Sequence, residues 1–201
     1  MSHQYGIIIL AAGNSSRLGQ PKQLLRFNEK SLIRYTADEA VKVAGKQVIV
    51  VTGAHKNLVE EELCDCPAHT IHNTYWQEGM SSSIYIGLIT LISIFPNIHA
   101  VTICVSDQPF IAAAIFQQMI NEQQQTNKGV VAAAYGGTTG VPVLFTDRYF
   151  IELLNLKGSE GAKILLNKFP DDFTTIDFEK GHIDLDTPED VAQWISNQKY
   201  S

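Results

Sequence analysis

The stretch IIILAAGNSSRLGQPKQLL, residues 7–25, decides how this chain is read. Ile7, Ile8, Ile9 and Leu10 form an unbroken apolar run, the pattern of a parallel strand buried on both faces. Where that strand should end the residues turn small. Ala11, Ala12 and Gly13 let a ligand lie against bare backbone, and Asn14, Ser15 and Ser16 add donors to a loop rich in exposed N–H groups. That combination is a cradle for anionic oxygens. Arg17 and Lys22 put two cations into the same loop, one a rigid fork and the other a mobile point charge, with Pro21 stiffening the chain just before Lys22. The loop contains neither G-x-x-x-x-G-K-[ST] nor G-x-G-x-x-G, so it is neither a P-loop nor a dinucleotide fingerprint.

Outward from this stretch, strand-like runs at 6–10, 47–52, 70–73, 100–105 and 130–135 alternate with helical stretches at 31–43, 56–63, 82–94 and 112–125. Such alternation predicts an α/β fold with a parallel sheet covered by helices on both faces. After Gly136 the rhythm changes. GGTTGVPVLF reads as a glycine-rich turn running into a short strand, followed by helices near 149–154 and 159–167 and a last strand at 173–178. Thr187 and Pro188 then start a terminal helix as N-cap and first residue. With no linker or repeat, the 201 residues are expected to form one domain, a nucleotide-binding half of about 1–135 and an acceptor-binding half of about 136–201.

The bulk numbers exclude several classes. With 45% hydrophobic and 18% charged residues the chain suits a folded domain. A net charge of −6 without Lys/Arg runs argues against nucleic-acid or anionic-membrane partners. No apolar stretch reaches the roughly 20 residues of a spanning helix, and MSHQYG lacks the regions of a signal peptide, so a cytoplasmic location is expected. Cys64, Cys66, His69 and His72 mix metal-ligand types at short range, but they straddle a helix-to-strand junction at Pro67 and read as surface residues.

Three further segments carry candidate chemistry. In SDQPF, Asp107 stands just past an apolar strand with Pro109 fixing the turn; a single carboxylate there suits Mg²⁺, leaving its other positions to phosphates and water. In HIDLDTPEDVAQWI, Asp186 directly precedes the Thr-Pro cap, Asp184 is the alternative on the same face, and Glu189 and Asp190 are explained by the helix N-terminus. NTYWQEGMSSSIYIGL places Asn73 at a strand end and Gly79 ahead of Ser81, Ser82 and Ser83, a polar shelf for base and ribose, or equally a helix cap.

The first loop together with D-x-P and D-T-P resembles the nucleotidyltransferases that join a nucleoside triphosphate to a phosphate-bearing acceptor. Within them it is most similar to the molybdenum-cofactor group, in particular its molybdopterin cytidylyltransferases, which carry a comparable N…W…GM-S-S-S element. The resemblance implies a three-layer, Rossmann-like nucleotidyltransferase fold with a mostly parallel mixed sheet. It implies CTP as substrate, and Mg²⁺, with Mn²⁺ as substitute, held by Asp107 and Asp186. It gives Arg17, Lys22 and Asp107 the catalytic roles and leaves nucleotide binding to residues 10–17, Lys22 and the Asn73 and serine segment. The acceptor, molybdopterin or another phosphorylated molecule, would meet Gly140, Pro142, Gly158, Ser159 and Gly161, with a molybdoenzyme as downstream partner. Ser159 departs from the Asp expected there. The alternatives are a sugar- or polyol-phosphate nucleotidyltransferase and a molybdenum-cofactor carrier without turnover.

Overall fold

The computed structural model describes residues 4–15, 19–27, 29–183, 185 and 190. The expected terminal helix and Asp184, Asp186, Ser16 and Arg17 lie outside the described residues.

The apolar run forms β1 (Gln4–Ala11), and its alternation sorts the two faces of the sheet. Ile8 and Leu10 pack with Ile84, Leu88 and Leu91 on one side, while Ile7 and Ile9 pack with Ile33, Ala37, Ala40 and Phe116 on the other. Burial of each isoleucine in this strand stabilises the fold by about 1.5–3 kcal/mol, which makes β1 the axis of the molecule. A small antiparallel ribbon of β2 (Arg26–Phe27) and β3 (Lys30–Ser31) leads into α1 (Leu32–Ala44), whose first turn is capped by the Ser31 hydroxyl accepting from Arg34 N–H at 3.3 Å. There follow β4 (Val48–Thr52), α2 (Lys56–Glu62), β5 (His69–His72), α3 (Met80–Ile94), β6 (Ile98–Val105) and α4 (Ala113–Thr126). The chain continues through β7 (Val130–Tyr135), β8 (Thr138–Thr146), α5 (Phe150–Leu154), α6 (Ile164–Lys168) and β9 (Phe173–Asp177).

Among the described residues seven strands make one sheet in the order β5-β4-β1-β6-β8-β7-β9, with only β8 antiparallel to its neighbours. α1, α2 and α4 cover one face and α3, α5 and α6 the other, completing three layers. From β1 the chain steps outward to β4 and β5, then returns to β6 on the opposite side. The order therefore reverses between β1 and β6, and a crevice opens beyond their carboxyl ends. None of the described helices is long and apolar enough to cross a membrane.

Two segments differ from expectation. GGTTGVPVLF is a tight hairpin turn at Gly136 and Gly137, with φ of 54° and 73°, and then a nine-residue strand inside the sheet. Gly140, Val141 and Pro142 lie within that strand, where the register against β7 slips between Ala132 and Ala133. A side chain at Gly140 would come within 2.2 Å of the Tyr135 hydroxyl, so close strand packing accounts for this glycine. The helix expected near 159–167 begins only at Ile164. Residues before it form a turn in which Gly158 has φ 56° and the Glu160 carboxylate accepts from Lys157 N–H at 2.8 Å.

Candidate active site

The carboxyl ends of β1 and β6 are laced together. Leu10 pairs with Val105, and the Leu10 carbonyl accepts from Ser106 N–H at 3.3 Å, which brings Asp107 beside the loop that follows β1. Between them lies a cleft of about 350 Å³. Leu10, Ala12, Gly13 and Asn14 form one wall and Lys22, Ser106 and Asp107 another, with Gly79, Met80 and Ser83 at the start of α3 closing the third.

Pro21, extended at φ −63°, delivers Lys22 into a short 3₁₀ turn. Its N–H donates to Ser15 Oγ at 3.0 Å, and its ammonium group pairs with Asp107 Oδ2. The other carboxylate oxygen, Asp107 Oδ1, is buried and finds no hydrogen-bond donor among the described residues. A buried anionic oxygen without a donor suits a cation, and one carboxylate with phosphate oxygens and water is a donor set that Mg²⁺ or Mn²⁺ accepts. Among the described residues no group of three or more His, Cys, Asp or Glu side chains is placed to hold a metal by itself. Cys104, under this loop in β6, is core: burial, then the nearby Asp107 charge, holds its thiol far above the ordinary range.

Sequence reasoning passed over two glutamines. Gln23, 1% exposed, donates from Nε2 to the carbonyls of Ala11 at 3.2 Å and Gly13 at 2.8 Å, while its Oε1 accepts from Ser15 Oγ at 3.3 Å. Gln108, next to Asp107, donates to the carbonyls of Val141 at 3.2 Å and Gly181 at 2.9 Å. It thereby ties the D-x-P turn to the β8 bulge and to the segment leading toward the late acidic motif. Leu185, inside that motif, is buried with Leu32 in a cluster that Leu25 and Phe110 pack against. A polar residue in the otherwise apolar context of QLL or QPF was the signal for both.

The serine segment is organised differently from the expected shelf. Asn73 Nδ2 donates to Ser82 Oγ at 2.8 Å and Ser83 Oγ at 3.0 Å, and its Oδ1 accepts from Tyr75 N–H at 2.9 Å. Ser82 in turn lies within hydrogen-bond reach of the Gly79 and Tyr75 carbonyls, at 2.8 and 3.0 Å. Ser81 donates from both its hydroxyl, at 2.8 Å, and its N–H, at 3.2 Å, to the carbonyl of Gly158. Of the segment's expected ligand residues only Gly79 and Ser83 reach the first cleft. Asn73, Ser81, Ser82 and Gly158 instead border a second cleft of about 480 Å³ on the other side of the α3 start, beside His72, Tyr75 and Lys157. Ser159 and Gly161 pack against that same start: a side chain at Gly79 would meet Ser159 N at 2.8 Å, and one at Gly161 would meet Met80 Sδ at 2.8 Å. Gly140 and Pro142 remain buried in β8.

A sheet whose switch point opens onto a bare-backbone loop, faced by a lysine and an aspartate, has the architecture of a nucleotide-binding transferase. The chain belongs to the MobA-like NTP transferase domain family, whose model matches residues 7–173, and it is a nucleotidyltransferase. It is 24% identical over 186 residues to the molybdenum cofactor cytidylyltransferase of Escherichia coli K12, covering 91% of both chains. Its fold matches a nucleotidyl transferase from Methanothermobacter thermautotroptrophicus with a TM-score of 0.82 at 17% identity, covering 98% of each. It also matches Rv0371c from Mycobacterium tuberculosis H37Rv in complex with manganese, with a TM-score of 0.75 at 22% identity, covering 96% of this chain and 98% of that one.

Proposed function

We propose that the protein transfers CMP from CTP to the phosphate of molybdopterin or its molybdenum-loaded form, releasing pyrophosphate. An oxygen of the acceptor phosphate attacks the α-phosphorus of CTP in line, the bond from that phosphorus to the bridging oxygen breaks, and pyrophosphate leaves with the electron pair. A terminal phosphate is already a nucleophile at neutral pH, so catalysis rests on positioning and charge neutralisation rather than on a strong base. Arg17 and the amides of the loop after β1 hold the β- and γ-phosphates, and Lys22 moves from Asp107 to the charge growing at the α-phosphate. Asp107 and Asp186 would hold Mg²⁺ or Mn²⁺, which when bound neutralises the triphosphate. Asn73 acts by fixing Ser83 and the α3 start against the nucleotide. The acceptor lies toward Gly158, Ser159 and Gly161, with Gly140 and Pro142 shaping the floor through Gln108.

The observation that carries this reading is the Lys22–Asp107 pair at the mouth of the cleft, with a second Asp107 oxygen left unsatisfied beside the loop. Similarity to the E. coli cytidylyltransferase over nearly its whole length supports the cytosine base and the pterin acceptor. Ser159, in place of the expected Asp, keeps a sugar or polyol phosphate as the competing acceptor. Mixing the protein with each of the four nucleoside triphosphates, Mg²⁺ and candidate acceptors tests the proposal by pyrophosphate release. Release only with CTP and molybdopterin supports it; release with another acceptor moves the substrate, and binding of molybdopterin without release makes the protein a carrier.

A further inference from the structure

Gln23 is buried to 1% exposure, and its carboxamide uses both ends on the loop after β1. Nε2 donates to Ala11 O and Gly13 O, and Oε1 accepts from Ser15 Oγ. Ser15 sits at φ 51°, where a non-glycine residue needs support, and its hydroxyl also accepts from Lys22 N–H. In a trans peptide the carbonyl and the next residue's N–H point in opposite directions. Drawing the Ala11 and Gly13 carbonyls onto Gln23 therefore turns the N–H groups of Ala12 and Asn14 away from it. Neither N–H has an acceptor among the described residues, and both residues line the cleft. Two backbone donors left unpaired at a cleft wall call for an anion.

We propose that Gln23 is a positioning residue for nucleotidyl transfer: its carboxamide holds the loop so that the Ala12 and Asn14 amides face the anionic tail of the triphosphate. The proposal rests on the triphosphate reading above and names the residue that presets the cradle. Gln23 borders the cleft, but both ends of its carboxamide are engaged on the loop, so it acts through the backbone it holds. It removes from the binding event the cost of ordering the loop, which is the advantage of preorganised donors.

Calorimetric titration of Gln23→Met with pyrophosphate, CTP and CMP, each with Mg²⁺, tests it, because methionine matches the side chain in length yet cannot hold the carbonyls. The expected result is a loss on the order of tenfold for pyrophosphate and CTP, the scale of one or two lost hydrogen bonds, with CMP binding within about twofold of the parent. Equal loss for all three ligands means a general collapse of the cleft and overturns the proposal, as does unchanged pyrophosphate affinity. Parent protein that binds none of the three defeats the triphosphate reading itself, a result distinguishable from either. Should Gln23→Met not fold, Ser15→Gly decides: glycine accepts the positive φ, and loss of the hydroxyl must weaken pyrophosphate more than CMP, or the proposal fails.

Discussion

Lys22 and Asp107, 85 positions apart in the chain, meet at the mouth of the cleft with the lysine ammonium on one carboxylate oxygen. Their side chains are 20% and 15% exposed, so the pair is only partly screened by water. Each screens the other's charge, and in the proposed mechanism the lysine swings from the carboxylate to the nucleotide. Lys22→Ala is expected to slow CTP-dependent pyrophosphate release on the order of a hundredfold, the usual cost of losing one electrostatic partner of the transition state. Lys22→Arg should rescue little of it, because a planar fork does not replace a compact mobile charge. Turnover of Lys22→Ala within a few-fold of the parent would remove Lys22 from the chemistry.

Asp107→Asn keeps the size of the side chain but removes the charge next to the unsatisfied Oδ1. The expected outcome is a turnover curve displaced to higher divalent-ion concentration by about tenfold or more, since carboxylate charge is what a hard cation binds. Chelation should abolish activity in the parent, and Mg²⁺ or Mn²⁺ should restore it. Identical metal dependence in parent and Asp107→Asn would rule the aspartate out as a ligand.

The contrast between what was legible and what was not follows the range of the interactions. Ile7 to Leu10 announce a central strand because burial on both faces leaves no room for alternation, and the glycine loop follows from a strand that must stop where a ligand begins. A strand is expected after the glycine-rich turn at 136–140, but its nine-residue length is not, because Gly140 and Pro142 look like turn residues until the Tyr135 hydroxyl shows why a strand takes a glycine there. The serines show the same limit. A hydroxyl at a helix start looks the same in sequence whether it faces a nucleotide or, as Ser81 does, a carbonyl 77 positions away. Gln23 and Gln108 were missed for a related reason: a buried glutamine is recognised by its partners, and those partners are distant backbone carbonyls.

Ser81 offers a way to separate the two roles proposed for its segment. Its hydroxyl and N–H both donate to Gly158, which fastens the turn proposed to meet the acceptor to the start of α3. Ser81→Ala removes one of those hydrogen bonds, worth about 1 kcal/mol or roughly fivefold. The loss is expected in the KM for the acceptor, with the KM for CTP unchanged, because Ser81 does not line the first cleft. A rise confined to the CTP constant in steady-state kinetics would return Ser81 to base recognition.

Asp172 makes a pH-dependent clamp far from the cleft. Its carboxylate accepts from the Tyr149 hydroxyl at 2.7 Å and from Gly129 N–H at 2.9 Å, and Arg148 lies 3.2 Å away. Burial raises its pKa, but those hydrogen bonds outweigh it and hold the carboxyl below its ordinary 3.8. A depressed folded-state pKa contributes stability that is complete above 3.8 and is lost as pH falls through the lowered value. Tyr149 runs the other way: burial, then the hydrogen bond to Asp172, pushes its phenol up to about 12, so its contribution holds below the ordinary 10.0 and disappears as pH rises through about 12. Asp172→Asn is therefore expected to lose about 1–3 kcal/mol in urea unfolding near pH 7, as charge-assisted hydrogen bonds become neutral ones. Once the pH falls below the lowered value parent and variant should converge, since protonation has then removed the charge from the parent. A difference of the same size at both pH values would show that Asp172 acts through shape alone.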